Sequence, residues 1–268
     1  MMSHITLPLY PVGAVPGFDP MIGQDPPSLS PFLLTDGTKH PCVIVCPGGA
    51  YAFRSAHEGD TVSEHFNTFR LNAVTLNYRV APYSYPAMTD DLTRAIRYLR
   101  YHADFLGIDP ERIAVLGFSA GGHLASTSLY HFDYGIKTED PIDACSSRPD
   151  AVILCYPVVT LDEGTHDGTR DHFLGDFPNC ADLIERFSSE KQIRADSPPC
   201  FLWHTEEDTL VSVENSRALY RALIKKGITA ECHIFPHGPH GLGLATEMPE
   251  VAVWPEYVVT FLKRIGFC

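Results

Sequence analysis

The sequence predicts an α/β fold: a mostly parallel, twisted sheet with helices on both faces. Three observations carry this. Short apolar runs alternate with amphipathic stretches along most of the chain. The runs, such as Cys42-Val43-Ile44-Val45-Cys46, are hydrophobic at every position, as strands buried on both faces are. At 268 residues and 44% hydrophobic content, the chain is long enough to bury a large core as a single domain, 1–268, and it shows no repeat, heptad run or low-complexity tract.

Residues 1–40 are rich in proline and lack periodicity. They read as an N-terminal arm lying on the surface, at a dimer contact or at the rim of a substrate pocket. Strands follow near 42–46, 73–78, 112–117, 151–156, 200–204 and 230–235, with helices near 60–70, 90–106, 119–130, 180–190, 213–226 and 254–265. The helix at 90–106 has the clearest pattern: Leu92, Ala95, Ile96, Leu99, Ala103 and Leu106 share one face and Gly107 ends it. The helix near 213–226 sets Leu219, Ala222 and Leu223 on one side and stops at Gly227. Two stretches, 131–149 and 157–198, break the rhythm with Asp, Gly, Pro, Ser and His; the second reads as a small cap-like insertion over the site.

The chemistry is written at the strand ends. Ile113-Ala114-Val115-Leu116 runs into Gly117-Phe118-Ser119-Ala120-Gly121 and then into a helical stretch. A strand, G-x-S-x-G, helix sequence is a nucleophile elbow: the sharp turn lifts the serine hydroxyl above the sheet, and its tight backbone contacts require glycine two residues either side. Serine needs a base, and the base needs an orienting acid, which follow in the order Ser, acid, His. The run Cys200-Phe201-Leu202-Trp203-His204 ends in Thr205-Glu206-Glu207-Asp208, where Asp208 is the best-placed acid and Glu206 and Glu207 read as solvated loop charge. The last strand is followed by Pro236-His237-Gly238-Pro239-His240-Gly241. Either histidine suits the base, with His240 favoured because it lies deeper in the loop and opens a flexible Gly-Leu-Gly run. Pro47-Gly48-Gly49-Ala50-Tyr51 follows the 42–46 strand, and such a turn supplies the backbone N–H groups of an oxyanion hole: Gly49 and Ala50, together with Ala120 after the nucleophile.

These motifs resemble the hormone-sensitive-lipase-like α/β hydrolases. The Pro47–Tyr51 segment is similar to their His-Gly-Gly element with Pro47 in place of His, and Asn77-Tyr78-Arg79-Val80-Ala81-Pro82 and Tyr85-Pro86-Ala87-Met88-Thr89-Asp90-Asp91 are similar to two further family segments. Pro47, the leader Leu7-Pro8-Leu9-Tyr10-Pro11 and the ending Pro236–Leu242 look closer to the bacterial acetylxylan-esterase-like, sugar-acetylesterase branch. The resemblance covers nearly the whole chain. It implies an α/β-hydrolase fold, a serine esterase with Ser119 as nucleophile, Asp208 as acid and His240 as base, acetylated sugars as substrates, and no cofactor or metal. Neighbouring readings of the same motifs are a prolyl-oligopeptidase-like peptidase, an arylformamidase and a catalytically silent ligand-binding relative.

Composition narrows the partners. A net charge of −13 disfavours nucleic acid and anionic membranes and suits a small neutral ester. No 18-residue apolar run is present, and the opening residues lack an export signal, so the cytoplasm is the expected location, with a homodimer as one possible assembly. Of the eight cysteines, Cys42, Cys46, Cys155 and Cys200 sit in apolar strands and none forms C-x-x-C, which speaks against disulfides and zinc. His166-Asp167 and Asp171-His172 read as solvated loop rather than a metal site, His123 and His204 as packing residues, and Arg79 with Asp90 or Asp91 as a structural ion pair. Tyr51, Arg54 and His57, just past the oxyanion turn, are placed to touch substrate.

Overall fold

The computed structural model describes residues 6–268. Residues 1–5, on which the reading of the opening segment partly rests, lie outside the described residues. One eight-stranded sheet organises the chain, in the order β1-β2-β4-β3-β5-β6-β7-β8. The strands are β1 Leu7–Pro8, β2 Ser28–Phe32, β3 His40–Cys46, β4 Asn72–Asn77, β5 Ile108–Phe118, β6 Ala151–Cys155, β7 Cys200–Thr205 and β8 Ala230–Phe235. From β4 to β8 all neighbours are parallel; β2 joins β4 antiparallel, and β1 joins β2 antiparallel.

The continuous apolarity of β3 has a direct cause. Cys42, Ile44 and Cys46 face one core, which is closed by α2 Ala87–Tyr101, α4 Ser119–Thr127 and α7 Glu214–Lys225. Val43 and Val45 face the other, under α1 Asp60–Asn67 and α8 Trp254–Arg264. A strand sandwiched this way has no solvent face on which to place polar residues. α3, Ala103–Leu106, follows α2 after a break at His102, so the 90–106 pattern is two helices and not one.

Three departures from the sequence reading have physical reasons. The arm is not merely surface-hugging: it contributes β1 and β2, with Leu9 and Leu29 fully buried. Pro31 argues against a strand, yet it lies in β2 opposite Val74 of β4, and among the described residues β1 reaches only Ser28 and Leu29 of β2. β5 starts at Ile108 instead of 112 because a register shift between His40 and Cys42 absorbs the irregular Asp109-Pro110-Glu111 stretch. The supposed solvated loop around His166 and His172 is a helix, α5 Asp167–Leu174, which buries Phe173 and Leu174; α6 Ala181–Phe187 follows it.

The ion pair forms with Asp91, not Asp90. Both members are buried: Arg79 Nη2 lies 2.7 Å from Asp91 Oδ1, the Arg79 backbone N–H donates to Oδ2 at 2.9 Å, and Nη1 donates to Pro16 O at 2.6 Å. Removing one partner of such a pair strands the other charge, so Asp91→Ala is expected to lower the unfolding free energy by about 3–5 kcal/mol. Urea denaturation checks this; a loss below about 1 kcal/mol would show that the pair does not hold the fold.

Candidate active site

β5 delivers Ser119 directly into the first turn of α4, with φ of +52°. That left-handed backbone is unfavourable for a residue with a Cβ and persists only where the surroundings impose it. Here they do. A Cβ on Gly117 would stand 2.1 Å from Gly121 O, and one on Gly121 would stand 2.2 Å from Cys46 O. Ala120, next in the chain, lies in the first helical turn, where backbone N–H groups have no intrahelical acceptor.

The elbow, the loop after β7 and the loop after β8 meet. Ser119 Oγ is 2.7 Å from His240 Nε2, and His240 Nδ1 is 2.6 Å from Asp208 Oδ2. Asp208 Oδ1 accepts the Leu210 and Val211 N–H groups at 2.9 Å each. Burial by itself would raise this carboxyl, but hydrogen bonds from His204, His240 and the Val211 N–H outweigh it and hold Asp208 well below the usual carboxylate range. An ionised Asp208 fixes the proton of His240 on Nδ1 and leaves Nε2 as the acceptor facing Ser119. The competing residues are elsewhere: exposed His237 pairs with Glu207 at 2.9 Å, which raises its pKa, and Glu206 pairs with Arg217 at 2.7 Å.

His204 is more than a packed histidine. Fully buried, its Nε2 lies 3.1 Å from Asp208 Oδ2 and 3.0 Å from Val211 O, both acceptors, so Nε2 carries the proton and Nδ1 accepts from Ser216 Oγ at 2.8 Å. It holds the acid from behind.

The turn after β3 has three successive positive φ angles, +119° at Gly49, +52° at Ala50 and +58° at Tyr51. A Cβ on Gly49 would meet Phe53 O at 2.3 Å. Pro47 has no imidazole to pin this loop, and other groups do so. Tyr78 Oη donates to Pro47 O at 2.5 Å, the Gly48 N–H donates to Glu58 Oε2 at 2.9 Å, and His172 Nδ1 of α5 donates to Ala50 O at 2.9 Å. Tyr51 Oη donates to His123 Nδ1 at 2.8 Å, while His123 Nε2 donates to Phe187 O at 2.9 Å. Burial pushes His123 down to about 4, so it stays neutral and able to accept.

The placement of Tyr51 against substrate is corrected. Its ring is fully buried among Tyr78, His123 and Phe173 because the positive φ turns it inward. Arg54 spends one guanidinium nitrogen on Tyr78 O at 2.5 Å and is half-buried. His57 is exposed and donates from Nε2 to Gly241 O at 2.8 Å, bridging to the base loop. Phe53, 60% exposed beside Gly49, escaped the sequence reading. Among the described residues no group of three or more His, Cys, Asp or Glu is arranged to hold a metal ion. Nor, among them, is any helix long and apolar enough to cross a membrane.

The family profile of BD-FAE matches residues 34–223. The chain belongs to the BD-FAE family. This BD-FAE chain is 39% identical over 228 residues to endo-1,4-beta-xylanase B of Butyrivibrio fibrisolvens, an alignment covering 82% of the chain and 35% of that protein. It is 30% identical over 239 residues to an acetylxylan esterase of Xylanibacter ruminicola, covering 87% of the chain and 46% of that protein. The chain thus spans less than half the length of either curated relative. The crystal structure of an acetyl ester-xyloside bifunctional hydrolase from Caldicellulosiruptor lactoaceticus superposes with a TM-score of 0.95 at 45% identity, covering 98% of this chain and 97% of that one. The α/β hydrolase MGS-M1 from a deep-sea metagenome library gives 0.73 at 25% identity, covering 97% and 96%. The BD-FAE chain therefore has the α/β-hydrolase fold, and the resemblance to acetylxylan-esterase-like members read from its sequence is borne out.

Proposed function

We propose that the protein is a serine esterase that removes O-acetyl groups from sugars or xylo-oligosaccharides. The observation that carries this is the unbroken hydrogen-bonded line from Ser119 Oγ through His240 to Asp208, at 2.7 and 2.6 Å. Ser119 Oγ attacks the ester carbonyl as His240 Nε2 takes its proton; Asp208 stabilises the imidazolium. The oxyanion is received by the N–H groups of Gly49, Ala50 and Ala120. His240 gives the proton to the sugar oxygen as its ester C–O bond breaks, leaving acetyl–Ser119; a water whose proton His240 takes then attacks the acetyl carbonyl, and the proton returns to Ser119 Oγ as acetate leaves. No step calls for a cofactor.

The sugar enters past residues 157–198, which we read as the cap. Its outer surface carries Asp162, Glu163, Asp167, Asp171 and Asp176, all exposed. Phe53 offers an apolar face beside the oxyanion turn, and His57 lies nearby. A rim of this polarity offers hydrogen-bonding partners to a hydroxyl-rich substrate and little apolar surface to a long acyl tail. The similarity to an acetylxylan esterase and to an acetyl ester-xyloside hydrolase supports the same substrate class. We expect kcat/KM to fall steeply from acetyl to octanoyl 4-nitrophenyl esters, with acetate released from acetylated xylose or xylo-oligosaccharides. Faster turnover of octanoyl esters, with no acetate from any acetylated sugar, would leave only a general carboxylesterase.

A further inference from the structure

We propose that Glu58, with Tyr156, is a positioning pair that locks the oxyanion turn to the loop carrying His240, so that the two catalytic segments move as one body. The inference rests on the esterase reading above and adds two residues to the machinery behind it. Glu58 ends a short 3-10 turn, Ala56–Glu58, and is 2% exposed. Among the described residues no lysine or arginine pairs with it; the nearest cation-forming group is His57 Nε2 at 3.9 Å. A carboxylate so placed is unfavourable unless its oxygens are hydrogen-bonded. Both are. Oε2 accepts the Gly48 N–H at 2.9 Å and Oε1 accepts the Tyr156 O–H at 2.6 Å. Tyr156 Oη in turn accepts the Gly243 N–H at 2.8 Å.

The direction of every proton in this line is fixed. Gly243 and Gly48 are backbone donors, so the single phenolic proton of Tyr156 must point at Glu58, and Glu58 must accept twice. A carboxylate, with acceptor lone pairs on each oxygen, suits these two contacts. Burial, and then the neighbouring Glu58 charge, raise the Tyr156 phenol far above its ordinary value, which keeps it a donor. One end of the line is Gly48, immediately before the oxyanion residues; a Cβ there would stand 2.7 Å from Glu58 Oε2 and 3.0 Å from Ser119 Cβ. The other end is Gly243, three residues past His240, whose carbonyl is anchored by Trp254 Nε1 at 3.0 Å. The Tyr156 ring also meets the His240 ring edge-on, with centroids 5.0 Å apart. Tyr156 adopts this pose at a φ of +37°, a strained backbone for tyrosine.

An isosteric Glu58→Gln change supplies one acceptor where two are needed, and it turns one of the two contacts into a donor facing a donor. The test measures kcat and KM on 4-nitrophenyl acetate for wild type, Glu58→Gln and Tyr156→Phe, with kcat expressed per active site titrated by an organophosphate. Small misplacement of catalytic groups lowers rates by up to roughly 100-fold, so per-site kcat is expected to fall by about 10- to 100-fold with KM within about threefold of wild type. The rate at which the organophosphate phosphorylates Ser119 should fall in parallel. A purely structural role would reduce the number of titratable sites or the melting temperature and leave the per-site values intact. If Glu58→Gln does not fold, Tyr156→Phe, which keeps the ring, decides alone. Per-site kcat and phosphorylation rate within about twofold of wild type in the folded variants overturn the proposal. A wild type silent toward every ester would sink the esterase reading, while the phosphorylation rates would still judge the link.

Discussion

Ser119→Ala is expected to lower turnover of 4-nitrophenyl acetate by roughly 10⁴- to 10⁶-fold, because the acyl intermediate has nowhere to form. The fold should be untouched. The left-handed backbone at Ser119 is imposed by Gly117 and Gly121, whose neighbours leave no room for a Cβ, and not by the hydroxyl. Thermal melting and sheet-dependent circular dichroism should therefore match wild type. A fluorophosphonate should label Ser119 alone among the serines, since Ser119 Oγ is bonded to a histidine that carries its own carboxylate partner. Mass spectrometry that finds a different serine labelled, or none, removes the assignment.

His240→Ala is expected to be about as damaging as Ser119→Ala, since nucleophile and base act as a unit. Asp208→Asn should lose up to about 10⁴-fold: an amide at that position no longer enforces the Nδ1–H tautomer. The controls sit in the same two loops. His237→Ala removes an exposed ring that touches Glu207, and Glu206→Gln removes a surface pair with Arg217, so each should stay within about twofold of wild type. A collapse confined to His237→Ala would reassign the base. Equal collapse of both histidine variants would mean that the β8 loop, and not one imidazole, is what the reaction needs.

The parts of this protein that were legible in its sequence are those where chemistry forces residue types at fixed spacing. The elbow must have small residues around Ser119, the oxyanion turn must be nearly bare of side chains, and acid and base must follow strands in order. α2 was legible because one face of Ala87–Tyr101 is buried and its apolar spacing records that. The supporting residues left no such mark. Glu58 and Tyr156 are 98 residues apart, and His172 and Ala50 are 122 apart; neither pairing follows from local pattern. His204 was read as a satisfied strand-end residue, and only the position of Asp208 shows what it satisfies. Tyr51 was misplaced because sequence does not display a left-handed backbone, and at that position the sign of φ decides whether the ring faces substrate or core. β2 was missed because the proline-rich, aperiodic opening stretch, Pro31 within β2 included, counts against a strand.

The pairing of β2 with residues 73–77 of β4 has a further consequence. β4, Asn-Ala-Val-Thr-Leu-Asn, buries Ala73, Val74 and Leu76 and bears no charge that would repel another chain. Among the described residues, its outer row of backbone donors and acceptors is covered by Ser28–Phe32. Strip that strand away and β4 becomes an unpaired, uncharged edge, the kind that recruits strands from other molecules. A segment remote from the chemistry thus guards against aggregation. Variants that loosen it, such as a charge at Leu29, should betray themselves first as insoluble protein and not as slow enzyme.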